Sequence, residues 1–263
     1  MLGAIIGDIV GSRWEFRPTN DYGFEWLSEK NGFTDDTICT VAVADALLKG
    51  RDFGQSIHDW CNRYPRPMGG YGGRFAAWVR SSNPLPYGSY GNGAAMRPSA
   101  VAHWYARLDE VLAAAEATAK PSHDHPEGIK GAQTVALAIF RALQLRRQGE
   151  QVAQHTGEIL EECAAFSGYD INIRKEEVVN RFDETCQGTV PVALWIIGRS
   201  TSFEDAVRRA VALGADADTL GAIVGSIAEV VWGIPESIES EVIAYLPEEM
   251  KEVVEEFYQA VSR

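Results

Sequence analysis

The sequence predicts an all-α fold, a compact orthogonal bundle of many helices in one domain. Wherever apolar residues show a clear period, they recur at spacings of three and four, as on the buried face of a helix. No segment alternates apolar and polar residues convincingly enough to predict a strand. The length of 263 residues lies within reach of one large domain, and we expect residues 1–263 to form a single domain.

The predicted helices follow one another along the whole chain. The helical period is clearest at residues 37–49, 101–119 and 131–147. Further helices are predicted at 55–63, 72–80, 150–166, 175–182, 190–197, 203–213, 217–232 and 247–261. Two of them have start signals, because Ser202 can cap a helix beginning at Phe203, and Pro247 precedes two glutamates that suit a first turn. Segments 83–93 and 120–128 are rich in glycine and proline and are predicted to be ordered loops.

The charge of the chain limits the partners that it can bind. Its formal net charge is −13 and its pI is about 4.9, which disfavours a broad surface for nucleic acid. A small anionic ligand remains compatible with this charge, because bound divalent cations or backbone N–H groups can attract it.

Cysteine use and hydropathy indicate a cellular compartment. The four cysteines are scattered and are expected to be reduced thiols, mostly buried: Cys39, Cys61, Cys163 and Cys186. The first apolar run is short, is broken by Asp8 and lacks a basic leader, and no stretch approaches the length of a membrane span. We therefore expect a cytoplasmic protein without membrane contact. The oligomeric state is left open, with a monomer as the expectation.

Two acidic clusters stand at predicted helix starts, and the first contains Asp35 and Asp36 between Thr34 and Thr37. Asp and Thr side chains cap helices, and capping is one interpretation of these residues. Two adjacent carboxylates exceed what one cap needs, however, and hard divalent cations bind clustered oxygen ligands. For this cluster alone, both interpretations stay open.

Asp216, Asp218 and Thr219 form the second cluster, at the start of a long apolar segment. Carboxylates at i and i+2 can converge on one ion where the backbone turns, and small neighbours let the ion approach closely. Burying these carboxylates is unfavourable unless a charge neutralises them, as a metal ion does. If the two clusters meet in space, they form a binuclear Mg²⁺ or Mn²⁺ site of a metal-dependent hydrolase.

A third acidic element follows a face of small residues near the beginning of the chain. Gly3, Gly7 and Gly11 lie four residues apart, on one side of a predicted helix. Glycines at this spacing permit a very close neighbour, and the helix that begins at Ala217 is the expected partner. Glu15 then leaves this helix toward the loops, where it is either a site residue or an ordinary solvated carboxylate.

Together with motifs between the clusters, these residues resemble one known family. The motifs are Gly7-Asp8 with Gly11-Ser12 and Glu15; Thr34-Asp35-Asp36-Thr37; Gly91-Asn92-Gly93 with Met96-Arg97; His123-Asp124-His125-Pro126-Glu127; and Gly214-Ala215-Asp216-Ala217-Asp218-Thr219. Their order and approximate spacing resemble the ADP-ribosylglycohydrolase family, including the dinitrogenase reductase-activating glycohydrolases. The resemblance extends from about residue 1 to Pro235. The two acidic blocks are highly specific, whereas the glycine loop alone is weak.

The resemblance implies an all-α domain with two Mg²⁺ or Mn²⁺ ions at its centre. It implies hydrolysis of the N- or O-glycosidic bond that joins ADP-ribose to a modified protein side chain or a small molecule, with release of ADP-ribose. The implied metal ligands are Thr34, Asp35, Asp36, Asp216, Asp218 and Thr219, with Glu15 as a mobile ligand or gate.

The chemistry of glycosidic cleavage suits such a site. The reaction passes through a cation-like state at the anomeric carbon, and metal ions can orient the ribose and lower the pKa of a bound water. We expect Glu15, Asp35 and Asp216 to act in catalysis, Asp35 with Asp218 by holding metal and Asp216 or Glu15 by orienting the water. The sequence leaves open which carboxylate is the general base.

The glycine loop and an aromatic ring are predicted to hold the ADP-ribose. Gly91, Asn92 and Gly93, which precede Met96, offer consecutive backbone N–H groups as a cradle for the diphosphate. A simple turn between helices is the alternative. Tyr87 or Tyr90, on the same loop, is expected to stack on adenine.

The histidine segment is assigned by resemblance, which implies that His123 and His125 line the substrate pocket. Loop histidines that bond to the backbone are the alternative. A zinc site is disfavoured, because no second pair of ligands accompanies these two residues.

Two other functions remain open at this point. The same carboxylates suit a different two-metal hydrolase that acts on phosphoesters, which would release AMP or inorganic phosphate instead of ADP-ribose. The resemblance also includes lens crystallins without activity, so an inactive ADP-ribose-binding or structural protein is the third interpretation. No motif identifies the acceptor, which could be arginine, serine, a nucleobase or a small metabolite.

Overall fold

The computed structural model describes residues 1–262 and confirms the all-α prediction. The helices are α1 (Leu2–Gly11), α2 (Asp35–Lys49), α3 (Phe53–Arg63), α4 (Gly73–Arg80), α5 (Ser99–Trp104), α6 (Leu108–Ala119), α7 (Pro126–Arg147), α8 (Thr156–Ser167), α9 (Lys175–Val178), α10 (Cys186–Ile197), α11 (Phe203–Val211), α12 (Ala217–Trp232), α13 (Glu236–Ile243) and α14 (Glu248–Val261). Short 3₁₀ turns occupy Ser12–Trp14, Asn92–Ala94 and Val152–His155. Within residues 1–262 there is no β-strand, only one isolated bridge between Gly91 and Thr185.

Some helix boundaries differ from the predictions for local reasons. The helix predicted at 101–119 is two helices, α5 and α6, because the backbone is extended at Tyr105 and again at Arg107. The helix predicted at 175–182 ends at Val178, and Asn180 then adopts a left-handed conformation with φ 56°. Helix α13 was not predicted, since it buries only two residues and shows too weak a period.

Helices α1 and α12 lie at the centre of the bundle and contact each other backbone to backbone. A β-carbon built on Gly7 would lie 1.9 Å from the carbonyl oxygen of Gly221, and one on Gly225 would lie 2.1 Å from that of Gly3. Only residues without a side chain permit this approach. The predicted contact between the glycine face of α1 and the helix that begins at Ala217 is confirmed. We call this contact the glycine seam.

The glycine seam determines where the acidic residues lie. The two helices run antiparallel, because Gly3 packs on Gly225 whereas Gly11 packs on Ala217. The end of α1 therefore lies beside the beginning of α12. Helices α2, α7, α10 and α11 pack around this pair, and every residue of α1 is buried. Among the helices of residues 1–262, none combines the length and the apolar character that crossing a membrane requires.

Candidate metal centre

Asp8 of α1 holds the first turn of α2. Its Oδ2 atom accepts hydrogen bonds from the backbone N–H groups of Thr34 and Thr37, each at 3.0 Å. Its Oδ1 atom accepts from the Thr34 hydroxyl at 2.7 Å. Thr34 is also the N-cap of α2, because its Oγ1 atom accepts from the Asp36 N–H. Asp36 is thereby fixed and buried in the first turn of α2.

The second acidic cluster lies at the beginning of α12, beside the first. Asp216 precedes the helix and Asp218 lies in its first turn, and both are buried. The Thr219 N–H donates to Asp218 Oδ1 at 2.9 Å, and the Thr219 hydroxyl donates to Asp36 Oδ2 at 3.2 Å. This last bond joins the two clusters, which therefore meet in the folded protein.

The carboxylates form two groups that share one member. Asp8, Asp36 and Asp218 each offer an oxygen within 4.8 Å of the others. Glu15, Asp216 and Asp218 form a second such group. Since oxygens at these separations can coordinate a common cation, each group is able to hold a metal ion, and Asp218 belongs to both groups.

Two carboxylate oxygens at this centre are buried without a hydrogen-bond partner in residues 1–262. They are Oδ1 of Asp36 and Oε2 of Glu15. Native proteins pair nearly all buried polar atoms, so such orphaned oxygens indicate a ligand. A divalent cation fits both the orphaned atoms and the all-oxygen donor set.

Burial and crowding raise the pKa values of these carboxyl groups. Burial, partly opposed by the hydrogen bonds from the first turn of α2, raises the pKa of Asp8 to about 6. Burial and the negative charge of Asp218 raise the pKa of Glu15 to about 8. Burial likewise raises the pKa of Asp216 to about 7 and holds the pKa of Asp36 well above its ordinary value. A cluster of this kind favours any bound positive charge.

Among the remaining predicted ligands, Asp35 and Thr34 have different surroundings. Asp35 is half-buried and lines the cavity beside the cluster, but it belongs to neither of the two carboxylate groups. Thr34 lies behind the cluster against Asp8, where its hydroxyl is engaged as a cap. Thr219 borders both the cluster and the cavity.

The cavity next to the carboxylates has a volume of about 360 Å³. Its walls include residues from both ends and the middle of the chain: Glu15, Phe16, Asp35, Gly69–Gly73, Arg74, Phe75, Tyr87, Ser89, Gly91–Gly93, Met96, Arg97, His123, Glu184, Asp216, Asp218 and Thr219. Carboxylates dominate one part of this lining, while Arg74 and Arg97 provide positive charge near the glycine loop. The cavity therefore suits a ligand with a polar, metal-binding end and an anionic end.

The glycine loop uses some of its backbone N–H groups within the protein. Asn92 donates its backbone N–H to the Glu184 carbonyl at 2.7 Å, and Gly91 donates to the Ser89 hydroxyl. These two N–H groups are occupied within the protein, and within residues 1–262 only the N–H of Gly93, among the three, lacks an acceptor. The Asn92 N–H pairs the loop with Glu184, whereas the N–H groups of Ser89 and Tyr90 have no acceptor within residues 1–262, so the backbone cradle for a diphosphate stays a prediction.

Asn92 instead supports the acidic centre through its side chain. Its amide donates to Asp216 Oδ2 at 2.6 Å and to Thr189 Oγ1 at 3.1 Å. The amide thus orients Asp216 and leaves the other carboxylate oxygen for a ligand. Gly93 and Met96 both line the cavity, and their contacts with a substrate stay a prediction.

The two histidines of the motif have different environments. His123 is buried and lines the cavity, with Nε2 next to the glycine loop. His125 does not line the cavity; its Nδ1 accepts from the Glu127 N–H and caps α7, and its ring contacts Tyr90. For His125 the structure gives the alternative interpretation, a loop histidine bonded to the backbone. Tyr87 lines the cavity, while Tyr90 lies outside its lining.

Sequence reasoning assigned no role to several residues of the cavity and the centre. No role was predicted for Asp8, because its role depends on the contact between α1 and α2. Arg74 and Glu184 lack any local motif. The segment Gly69–Gly73 had a signal in its density of glycines, and Gly69, at φ 75°, lies directly against the Glu15 carboxylate.

Fold, acidic centre and cavity together define the class of the protein, an all-α protein with a cavity beside a centre able to bind metal. The sequence profile of the ADP-ribosylglycohydrolase family matches residues 1–263. The chain belongs to this family.

Individual relatives agree with this membership. The chain is 25% identical to ADP-ribosylhydrolase ARH3 of Homo sapiens, over 91% of this chain and 86% of that protein. It is 24% identical to the ADP-ribosylarginine hydrolase Tri1 of Pseudomonas putida (strain GB-1), over 91% of this chain and 72% of that protein. A solved structure described as an ADP-ribosylglycohydrolase-related protein complex is similar with a TM-score of 0.71 and 26% identity, covering 99% of this chain and 95% of that chain.

Proposed function

We propose that the protein hydrolyses the N- or O-glycosidic bond between ADP-ribose and a modified protein side chain or small molecule. The observation that carries this proposal is the pair of carboxylate groups sharing Asp218 at the wall of a cavity with cationic residues elsewhere in its lining. Family membership supports the same reaction. In the reaction, the water oxygen bonds to the anomeric carbon, and the leaving nitrogen or oxygen takes the electron pair and a proton.

The proposed cofactors are two Mg²⁺ or Mn²⁺ ions. Asp8, Asp36 and Asp218 outline one position, and Glu15, Asp216 and Asp218 outline the other. When bound, such ions supply Lewis acidity and lower the pKa of water. From the predicted set, Asp35, Thr34 and Thr219 complete the proposed ligands.

The side chains of the protein account for positioning and proton transfer in this proposal. Asp216, held by the Asn92 amide, and Glu15, with its orphaned oxygen, flank the same space as Asp218. Either can orient the attacking water and accept its proton. Asp35 borders the cavity beside them, where it can contact ribose hydroxyls.

The proposal includes expectations about substrate and cellular setting. The relatives include one named as an ADP-ribosylarginine hydrolase and others named simply as ADP-ribosylhydrolases, so arginine is one acceptor to test among several. We also propose that the protein is a cytoplasmic monomer. The net charge of −13 supports the further proposal that it has no surface for nucleic acid.

A product assay tests the proposal. Purified protein is incubated with a panel of ADP-ribosylated substrates, carrying the modification on arginine, on serine or on a small molecule, with Mg²⁺, with Mn²⁺ or with EDTA. We expect free ADP-ribose in a metal-dependent manner from at least one substrate. AMP or inorganic phosphate as the product would instead indicate a phosphoester hydrolase, and no turnover together with retained ADP-ribose binding would indicate a binding protein.

A further inference from the structure

Arg97 is a buried cation without a carboxylate partner. Its side chain is fully buried, and it forms no ion pair within residues 1–262. Its Nη2 atom is buried without any hydrogen-bond partner there. An unpaired buried charge is unfavourable for folding, so its presence beside a cavity indicates a role in binding.

The guanidinium of Arg97 is held in place by neutral groups around the glycine loop. Nε donates to the Gly93 carbonyl at 2.5 Å, and Nη1 donates to the Ser122 hydroxyl at 3.2 Å. The guanidinium carbon lies 5.2 Å from the centre of the Phe75 ring. None of these contacts neutralises the charge, so its field extends to the adjoining part of the cavity.

Ser122 connects Arg97 to His123. The Ser122 Oγ atom lies 2.8 Å from His123 Nδ1. A guanidinium can only donate hydrogen bonds, so Ser122 Oγ accepts from Arg97. Ser122 is fully buried, and within residues 1–262 its hydroxyl proton has no acceptor other than His123 Nδ1. The hydroxyl therefore donates to Nδ1, because a buried donor without an acceptor is unfavourable.

This direction of donation sets the tautomer of His123. Nδ1 accepts and carries no proton, so the proton of the neutral ring lies on Nε2. Burial, together with the charge of Arg97, lowers the pKa of His123 well below its ordinary value and keeps the ring neutral. The Nε2–H group has no acceptor within residues 1–262 and lies next to the glycine loop, since a β-carbon on Gly93 would be 3.1 Å from Nε2.

We infer that Arg97 is a positioning residue, which acts through Ser122 to present the His123 Nε2–H as a hydrogen-bond donor to the diphosphate of ADP-ribose. This inference rests on the proposed function for the identity of the ligand. It adds a side-chain donor and a positive charge beside the glycine loop, on an otherwise acidic protein.

The tautomer can be measured in the free wild-type protein. Long-range ¹H–¹⁵N correlation spectra of ¹⁵N-histidine-labelled protein contain five histidines, and the His123→Gln variant assigns the signals of His123. We expect a protonated Nε2 and an unprotonated Nδ1 at neutral pH. In Ser122→Ala, we expect a mixture of both tautomers. A wild-type ring protonated on Nδ1 overturns the inference, whatever the enzymatic activity.

Binding measurements test the role of the charge. In Arg97→Gln, calorimetry with metal present should show ADP-ribose affinity reduced by about 10- to 100-fold, as expected for loss of a charge-assisted interaction. Ser122→Ala should weaken ADP-ribose by about fivefold, the effect of one neutral hydrogen bond. Adenosine, which lacks the diphosphate, should bind both variants and the wild type equally. The effect should appear in KM far more than in kcat.

Controls separate the inference from folding and from the proposed function. Since Arg97 is buried, each variant is compared with the wild type by circular dichroism, and Arg97→Lys retains the charge if Gln fails to fold. We expect Lys to recover affinity for ADP-ribose only to the extent that it restores the wild-type tautomer of His123. Equal loss of ADP-ribose and adenosine binding, or unchanged ADP-ribose binding in folded Arg97→Gln, overturns the inference. Wild-type protein that binds no ADP-ribose refutes the proposed function, and the tautomer measurement stands independently.

Discussion

The two ends of the glycine seam both bury carboxylates, but they treat the charge in opposite ways. At the end where α1 finishes and α12 begins, Asp8, Asp36 and Asp218 lie together. At the other end, Glu229 of α12 accepts hydrogen bonds from the Met1 amino group and from the backbone N–H of Gly3, both at 2.8 Å. One end concentrates negative charge, and the other end neutralises it.

The pKa values show the same contrast. Burial alone would raise the pKa of Glu229, but the charge of the Met1 amino group and hydrogen bonds outweigh it and lower the pKa to about 2. At the opposite end the pKa of Asp8 rises to about 6, despite four hydrogen bonds from Thr34 and Thr37. The difference teaches that burial of a carboxylate is not in itself a functional sign. The functional sign is a carboxylate buried without a compensating positive charge, because such a site can bind a cation.

Replacing the shared carboxylate should have the largest effect. We expect Asp218→Asn to reduce hydrolysis by at least about 100-fold, because both proposed cation positions lose a ligand. The metal-free variant should melt higher than the metal-free wild type, since one of several repelling carboxylates is removed. ADP-ribose release and thermal melts in EDTA check the two effects. Asp109→Asn, at an exposed position, serves as the matched control. Full activity of Asp218→Asn would refute the metal assignment.

Removing the carboxylate at the other end of the seam should destabilise the fold without affecting hydrolysis. Glu229→Ala removes the partner of a buried amino group and of the Gly3 N–H, and we expect a loss of about 3 kcal/mol in the free energy of unfolding. For a chain of this size, that corresponds to a fall in Tm of roughly 6–12 °C. Urea unfolding measures the loss, and activity per folded molecule should equal the wild type. If Glu229→Ala were as stable as the wild type but had a lower kcat, Glu229 would act in hydrolysis and the contrast between the two ends would be wrong.

Widening the seam should affect both ends together. In Gly7→Ala, the new methyl group would meet the Gly221 backbone at 1.9 Å, so the helices must separate. We expect a loss of about 2–3 kcal/mol in stability, as for an overpacked core. Weaker Mn²⁺ binding should accompany it, because Asp8 and Asp218 move apart. Gly50→Ala, where open space surrounds a left-handed glycine, is a control for backbone strain alone. Unchanged Mn²⁺ affinity in Gly7→Ala would show that the close contact of the glycine seam is not needed for metal binding.

The smallest expected effect concerns the pH dependence of the free energy of unfolding, to which the two ends contribute with opposite signs. The folded pKa of Asp8 is raised from 3.8 to about 6, so the folded protein binds more protons than the unfolded chain between these values. Metal-free stability should therefore rise as the pH falls from roughly 7 to 5, by about 1 kcal/mol from Asp8 alone. Saturating Mn²⁺ should abolish this rise, because protons and metal compete for the carboxylates.

Glu229 gives the opposite sign. Its folded pKa of about 2 lies below the ordinary value of 4.5, so its stabilisation is complete above pH 4.5 and is lost as the pH falls toward 2. Melts of wild type and Glu229→Gln across this range measure the contribution. The buried His103 and His123, whose pKa values are lowered, act in the opposite direction between pH 7 and pH 5, so Asp8→Asn isolates the Asp8 contribution. If Asp8→Asn left the metal-free pH dependence unchanged, the raised pKa of Asp8 would be wrong.

Local patterns in the sequence predicted much of this arrangement, and tertiary contacts decided the rest. The spacing of Gly3, Gly7 and Gly11 predicted the seam, because close contact between two helices requires small residues at regular spacing. The two acidic clusters were visible because adjacent carboxylates exceed the needs of a cap. The seam and the all-α fold are confirmed, whereas the ligand roles stay predictions.

Residues that act through a distant partner were not predictable in this way. Asp8 gains its role from the N–H groups of α2, and Arg97 gains its role from Ser122, which the sequence places 25 residues away. The pairing of the Asn92 N–H with Glu184 was also not predictable, because no local pattern in either segment indicates it. His125 shows the same limit, since a cap and a ligand use the same residue type.

The glycine seam also imposes an order on folding during synthesis. Helix α1 is made long before its main partner α12, which lies more than 200 residues later in the chain, yet all residues of α1 are buried in the folded protein. At typical elongation rates of about 5–20 residues per second, this apolar helix waits on the order of 10–40 seconds for the segment that covers it. Its contacts are therefore among the least local in the fold, which predicts slow, late docking and a nascent chain that benefits from a chaperone.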